Sequence, residues 1–249
     1  MSNIKIHKKE DREEMRKACR LARDVLRFIE PYVKENTTTD ELNTLCHNFI
    51  VEHGAKSAIL NYKGFPTSIC TSVNHVVCHG IPGDYRLKSG DIINIDVTVI
   101  LNGWFGDTSK TFIVGKATKL VENLVKITEE ALYVGIHAAR PGGYFGDIGK
   151  AIQKFVDKYG YSIVRDYCGH GIGRVFHDEP LIVHYDIGKK GAQILPGMFF
   201  TIEPMINVGS YKTKVIKDGW SAVTVDKSLS AQFEHTIAVT EDSIEILTI

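Results

Sequence analysis

The sequence predicts an α+β fold of two similar halves that share one sheet, and three observations carry this reading. Apolar residues recur at helical steps over about 11–33 and 39–54, then alternate with polar ones over 93–99. The same order, helices and then strands, returns after residue 120. At an offset of 106 residues Leu42 matches Ile148, Phe49 matches Phe155, Ile50 matches Val156 and Gly54 matches Gly160. A repeated unit of this kind leaves a cleft where its copies meet.

The first helix is read from Met15, Ala18, Leu21, Ala22, Val25, Leu26 and Ile29, with charges between them, and runs from about Asp11 to Val33. The second starts where Thr38 or Thr39 can cap it, carries Leu42, Leu45, Phe49 and Ile50, and stops at Gly54. Ile93, Ile95, Val97 and Val99 then share one face of a half-buried strand, and Asn94, Asp96 and Thr98 share the other. Asn102-Gly103 turns the chain into a second strand, Thr108 to Val114, to make a hairpin. In the second half a helix spans about Leu120 to Ala139, Pro141-Gly142-Gly143 breaks it, another helix spans about Phe145 to Tyr159, and strands follow Gly160. Residues 1–249 are read as a single domain with a helical extension over about 1–35 and halves meeting near 115–120.

Composition narrows the function. The chain has 249 residues, 43% hydrophobic and 24% charged, with 30 basic and 30 acidic residues. A net charge of zero lacks the basic surplus that gives non-specific affinity for nucleic acid, so nucleic acid is not the expected partner. No run approaches the eighteen or more apolar residues of a membrane span. The first residues show no apolar leader or cleavage site, which predicts a cytoplasmic protein. Five cysteines (Cys19, Cys46, Cys70, Cys78, Cys168) without a Cys-x-x-Cys are read as reduced thiols, mostly core.

The candidate chemistry lies in carboxylates placed where strands disfavour them. Asp96 stands on the polar face of its strand, and Asp107 opens the partner strand. Glu203 ends the apolar run Met198–Ile202 and is held extended by Pro204, while Glu234 sits inside Gln232–Val239. One such residue is often only a charge on a solvated face, but glutamates inside apolar strands are rarely buried without a counter-charge. His170 lies in Cys168-Gly169-His170-Gly171-Ile172-Gly173, where missing side chains would let a ligand or metal come close. Together, Asp96, Asp107, His170, Glu203 and Glu234 suggest a two-metal site, because four gathered carboxylates repel one another unless cations lie among them. An oxygen-rich set with one imidazole and no thiolate suits manganese, iron(II), cobalt or zinc. His75 and His79 have the spacing of a zinc-binding helix, but Val73, Val76, Val77, Gly80 and Pro82 make their segment a strand and turn. No phosphate loop or nucleophile elbow is present.

The blocks His79-Gly80-Ile81-Pro82, Asn94-Ile95-Asp96-Val97, Gly106-Asp107-Thr108-Ser109, Gly169–Gly173, Thr201-Ile202-Glu203-Pro204 and Gln232-Phe233-Glu234-His235-Thr236 closely resemble the type I methionine aminopeptidases. The resemblance covers nearly the whole chain. It implies the pita-bread fold, in which two pseudo-symmetric halves pack helices on a curved, mainly antiparallel sheet. It also implies removal of the initiator methionine from nascent polypeptides when the second residue is small, at or near the ribosome, by attack of hydroxide bound by two divalent metals. In that picture Asp107 and Glu234 bridge the metals, Asp96 binds one, and His170 and Glu203 bind the other, with Glu203 also taking a proton. His79 and His177 match two non-ligand histidines that donate hydrogen bonds to the substrate amide and the tetrahedral intermediate. Tyr62, Phe65, Cys70, Phe176 and Trp220 match the positions lining the methionine pocket. Ile59 and Phe65 stand where the family often has cysteine and tyrosine. Asn74 and Ser230 match residues near a monovalent-cation site in some members.

Two other readings are weighed. An Xaa-Pro aminopeptidase or prolidase uses the same five ligands, but normally with an additional amino-terminal domain, for which the roughly ninety residues before Asp96 are too few. A non-catalytic binding module would have lost ligands, and none is lost here. The chain is therefore expected to act as a monomeric, cytoplasmic metallo-aminopeptidase without a membrane or nucleic-acid partner.

Overall fold

The structure, a computed structural model, describes residues 4–249, so Met1–Asn3 of the stretch read for a leader lie outside it. The first half comprises α1 (Lys9–Ile29), α2 (Thr39–Glu52), β1 (Lys56–Ser57), β2 (Cys70–Val73), β3 (Val76–Cys78), β4 (Ile92–Leu101) and β5 (Trp104–Ile113). The second comprises α3 (Lys119–Ala138), α4 (Phe145–Val156), β6 (Ser162–Ile163), β7 (Gly169–Gly171), β8 (Asp178–Ile182), β9 (Phe199–Ile202), β10 (Met205–Asn207), β11 (Thr213–Val215), β12 (Ala222–Thr224), β13 (Ser230–Gln232), β14 (His235–Val239) and β15 (Ile244–Ile246).

The first helix ends at Ile29, four residues before the expected Val33, and continues as a short 3-10 turn over Glu30–Tyr32. Pro31 is the reason: it has no N–H to continue the helical ladder, although Glu30 before it keeps helical geometry. Thr38 rather than Thr39 caps α2. Its hydroxyl accepts from Glu41 N at 3.1 Å, and the Glu41 carboxylate accepts from Thr38 N at 2.7 Å. In the hairpin, Asn102 and Gly103 both take positive φ (52° and 77°), as a two-residue turn demands, and β5 starts right after them at Trp104 rather than at Thr108. Ile93, Ile95, Val97 and Val99 are fully buried beneath Val25, Ile29, Leu42 and Ile50 of the two helices. Gly106 makes close approach possible, since a Cβ there would strike the α1 backbone at Ala18.

The second half repeats the scheme. Leu124, Ala131, Ile148 and Ile152 of α3 and α4 pack on Phe200, Ile202 and Ile237 of the sheet β15-β14-β9-β7-β8. The last expected helix stops at Val156, with a 3-10 turn through Tyr159 and Gly160 at φ 70° ending it.

The shared sheet is not one continuous ladder. Four antiparallel sheets form, β1-β4-β2 with β5 on β4, the five-stranded sheet, β13-β10-β6, and β11-β12-β3, the last joining strands of both halves. Between β5 and β14 a single bridge, Ser109 to Glu234, survives. Threonine hydroxyls replace the missing rungs: Thr108 donates to Glu234 O, Thr111 to Gln232 O and Thr236 to Asp107 O, at 2.6–2.7 Å. A buried carbonyl must find a donor, and at this seam side chains supply it.

Candidate metal centre and substrate pocket

The hairpin register places the first two carboxylates. Asp96 pairs with Ser109 and Thr98 with Asp107, so both aspartates fall on the face opposite the isoleucine-valine row, as diagonal neighbours. The second half brings three more groups from separate strands: His170 from the middle of β7, Glu203 just past β9, and Glu234 just before β14 and across the seam from Ser109. Donor atoms of Asp107, His170 and Glu234 lie within 4.8 Å of one another. His170 Nε2 is 3.6 Å from Asp107 Oδ2 and 3.8 Å from Glu203 Oε1. Asp96 lines the same cavity, which measures about 590 Å³.

The glycines around His170 do a different job from the one expected of them. A Cβ on Gly169 would collide with the Thr201 carbonyl, and one on Gly171 with the Glu179 carbonyl. They let β7 slide between β8 and β9 and so set the depth of the imidazole; room for a ligand comes from the cavity on its other side.

Electrostatics at the site are those of a cation cage. Burial raises Asp96 to about 7, and burial together with the neighbouring carboxylates pushes Asp107, Glu203 and Glu234 well above the usual range. Among the described residues no lysine or arginine pairs with any of the four; only His170 lies at ion-pair distance, from two of them. Burial holds that imidazole neutral by lowering it to about 4. Its Nδ1 donates to Gly171 O at 3.0 Å, which leaves the Nε2 lone pair facing the carboxylates. Four acidic oxygen donors and one neutral imidazole nitrogen, without counter-charge, fit divalent cations.

Several supporting groups carry no signal that the sequence pattern singles out. Thr98 Oγ1 donates to Asp107 Oδ1 and Thr201 Oγ1 to Glu203 Oε1, both at 2.8 Å. Gln232 Nε2 donates to Glu203 Oε2 at 3.2 Å, and Glu203 N donates to the buried His184 Nε2 at 3.0 Å. The Thr98 contact was available in principle, because counting outward from the Asn102-Gly103 turn sets Thr98 opposite Asp107. Of the other three, Gln232 and His184 reach Glu203 only through tertiary packing, whereas Thr201 is two residues before it on extended chain.

On the apolar side of the cavity Tyr62, Phe65, Cys70, Phe176 and Trp220 come together in one cluster. Ile59, Ile81 and Phe105 complete it, the last stacked on Phe176 with centroids 5.6 Å apart. Phe65 meets Trp220 edge-on at 5.2 Å, and Tyr62 meets Phe176 at 5.1 Å. His79 lines the cavity edge-on to Tyr167 and holds φ at 56°, a conformation unusual for a non-glycine residue. His177 also lines it, with its ring 4.3 Å from that of His170. His75 lies elsewhere, in a separate hollow with Asn74 and Tyr85. Asn74 and Ser230 do meet: the Asn74 carbonyl accepts from Ser230 N at 2.9 Å, and the Ser230 hydroxyl is buried without a partner. Cys168 is half-buried on the cavity wall, and the other four cysteines are buried.

Two facing halves with an oxygen-rich cage between them and an apolar pocket beside it define a metal-dependent hydrolase. The profile of metallopeptidase family M24 matches residues 13–241. Methionine aminopeptidase of Rickettsia prowazekii (strain Madrid E) is 58% identical over 99% of this chain and 95% of that protein. A crystal structure of methionine aminopeptidase from Rickettsia prowazekii superposes with a TM-score of 0.97 at 58% identity, covering 99% of this chain and 100% of that one. A prolidase from Pyrococcus furiosus, at 23% identity and a TM-score of 0.75 over 98% of this chain and 65% of that one, shares the fold alone. The chain belongs to metallopeptidase family M24, and within it to the methionine aminopeptidases.

Proposed function

We propose that this chain removes the N-terminal methionine from polypeptides whose second residue is small, with two divalent metal ions as cofactors. The observation that carries the reading is the cage of four carboxylates, three buried and Asp96 half-buried, around a neutral His170, opening onto the apolar cluster of Tyr62, Phe65, Cys70, Phe176 and Trp220. Asp107 and Glu234 would each reach both ions, Asp96 one of them, and His170 and Glu203 the other. When bound, the pair of ions acidifies water and polarises the scissile carbonyl. Cobalt, manganese, iron(II) and zinc all suit the donor set.

The remaining steps belong to the protein. Glu203 Oε2, whose one hydrogen bond among the described residues is the long one from Gln232, takes the proton from the attacking water and passes it to the leaving amine. The His79 and His177 imidazoles donate to the substrate amide and to the oxygen that gains charge. Tyr62, Phe65, Cys70, Phe176 and Trp220 hold the methionine side chain, since rings and a thiol suit an unbranched thioether. A lysine side chain there would leave an ammonium buried without a partner. Residues 1–249 work as one catalytic domain with halves meeting near 115–120, as a monomer in the cytoplasm that meets nascent chains at the ribosome. The meeting of Asn74 with the unpartnered Ser230 hydroxyl supports a monovalent-cation site beside this centre.

The test is kcat/KM on Met-Ala-Ser, Met-Lys-Ser, Lys-Ala-Ser and an Ala-Pro peptide with metal restored after chelation. Release of methionine from Met-Ala-Ser alone is the expected result. Preference for the Ala-Pro peptide would make the chain an Xaa-Pro aminopeptidase, and silence on all four with metal bound would make it a binding module.

A further inference from the structure

Tyr62 does more than line the pocket: we infer that it is a positioning residue whose hydroxyl selects the working tautomer of His177. The inference rests on the proposed peptidase reading and deepens it. Tyr62 Oη lies 3.1 Å from His177 Nδ1, and among the described residues this is the hydroxyl's one hydrogen-bond partner. The two ring centroids are 5.5 Å apart with their planes tilted by 38°, Tyr62 is braced edge-on against Phe176, and Phe176 packs against His177 at 3.9 Å. The other ring nitrogen of His177 has no protein partner among the described residues, and the ring borders the cavity.

A neutral imidazole carries one N–H, so whichever nitrogen accepts a hydrogen bond sends the proton to the other. A phenol is a strong donor, and when Tyr62 donates to Nδ1 the proton of His177 must sit on Nε2, where it can be offered to a substrate oxygen. Without that hydroxyl the Nδ1–H form becomes accessible, and its Nε2 is a lone pair that repels the same oxygen. His170, one ring away at 4.3 Å, has the reverse assignment: its Nδ1 donates to the Gly171 carbonyl and its Nε2 is the lone pair. Two adjacent histidines are thus set to opposite tautomers by opposite partners, a backbone acceptor for the imidazole that faces the carboxylates and a phenolic donor for the one that faces the substrate.

The experiment uses the full-length, zinc-loaded chain and its Tyr62→Phe variant, which keeps the ring in the pocket and deletes only the hydroxyl. Nitrogen-15 NMR of the histidine rings, with the His177 signals identified by their loss in His177→Ala, is expected to show Nε2–H for His177 in the parent and a mixture of tautomers in Tyr62→Phe. On Met-Ala-Ser, kcat is expected to fall about tenfold, the usual scale of one hydrogen bond, with KM changed by less than about twofold. In a His177→Ala background the Tyr62→Phe change should cost nothing further, because its effect travels through the imidazole. An Nδ1–H signal in the parent chain, an unchanged kcat in Tyr62→Phe, or losses that add in the double variant would each overturn the inference. If the parent shows Nε2–H but releases no methionine, the tautomer assignment stands and the peptidase reading falls.

Discussion

The two halves of this molecule reach the same centre by different routes. Asp96 and Asp107 sit on one hairpin, eleven residues apart, with their spacing set by a two-residue turn and an unbroken ladder. His170, Glu203 and Glu234 come from three strands separated by long connections, and they meet only because β7, β9 and β14 lie side by side in one sheet. The support around each set differs in the same way. Asp107 is steadied by Thr98 from directly across the hairpin, whereas Glu203 depends on Thr201, Gln232 and His184, from three places in the chain. One half of the site is a local structure that carries candidate ligands; the other exists only when the whole fold does.

The sharpest way to break the comparison is to remove one carboxylate from each side of the seam. Asp107→Ala and Glu234→Ala should each lose activity by at least about a hundredfold, the scale on which single groups at metal sites act, and chelation should silence the parent chain. Near-normal turnover in Asp107→Ala would end its assignment as a ligand shared by both ions. His79→Ala comes next. Its imidazole is placed toward the substrate, so metal content measured by elemental analysis should stay at the parent level while kcat falls about a hundredfold. Metal lost in step with activity would instead make His79 a ligand.

Smaller effects can sharpen the contrast between local and assembled support. Thr98→Val and Thr201→Val each delete one hydroxyl from a carboxylate and should weaken metal affinity, read by isothermal titration, by about tenfold or more. Thr201 also accepts from His170 N at 3.0 Å, so its loss should cost more than that of Thr98. Equal losses would mean that the imidazole position does not depend on that bond.

The smallest effect is thermodynamic. Asp96 is raised to about 7 in the folded, metal-free chain, against about 3.9 in the unfolded chain. The native state therefore holds a proton that the unfolded state gives up, and stability conferred by the neutral acid is lost as pH rises from about 4 through about 7. Metal-free Asp96→Asn keeps a neutral group at every pH, so its Tm should exceed the parent's by several degrees at pH 8 and match it near pH 4. Scanning calorimetry after chelation reads the difference, and an advantage that is the same at both pH values would remove Asp96 from the titrating cage.

Much of the architecture is legible in the sequence. Helical stripes such as Met15–Ile29, the Ile93–Val99 alternation and the Asn102-Gly103 turn are short-range patterns, and periodicity reports them directly. Errors came where one residue overrides a pattern, as Pro31 does at the end of α1, or where a strand continues through residues of low β propensity, as β5 does at Gly106 and Asp107. The candidate ligands were legible as carboxylates in the wrong company, and the resemblance of six blocks to a known family ordered them.

What the sequence determined by itself, then, is the set of elements and the chemical identity of the donors, because both depend on neighbours a few residues away. The tertiary structure decided which strands run side by side and that Gln232 and His184 meet Glu203. It also revealed that the glycines beside His170 serve strand packing, and that the Tyr62 hydroxyl faces Nδ1 of His177. Tyr62 and His177 are 115 positions apart, and no local propensity encodes relations of that range. They follow from burying two helical layers against sheets whose facing edges must satisfy their own hydrogen bonds.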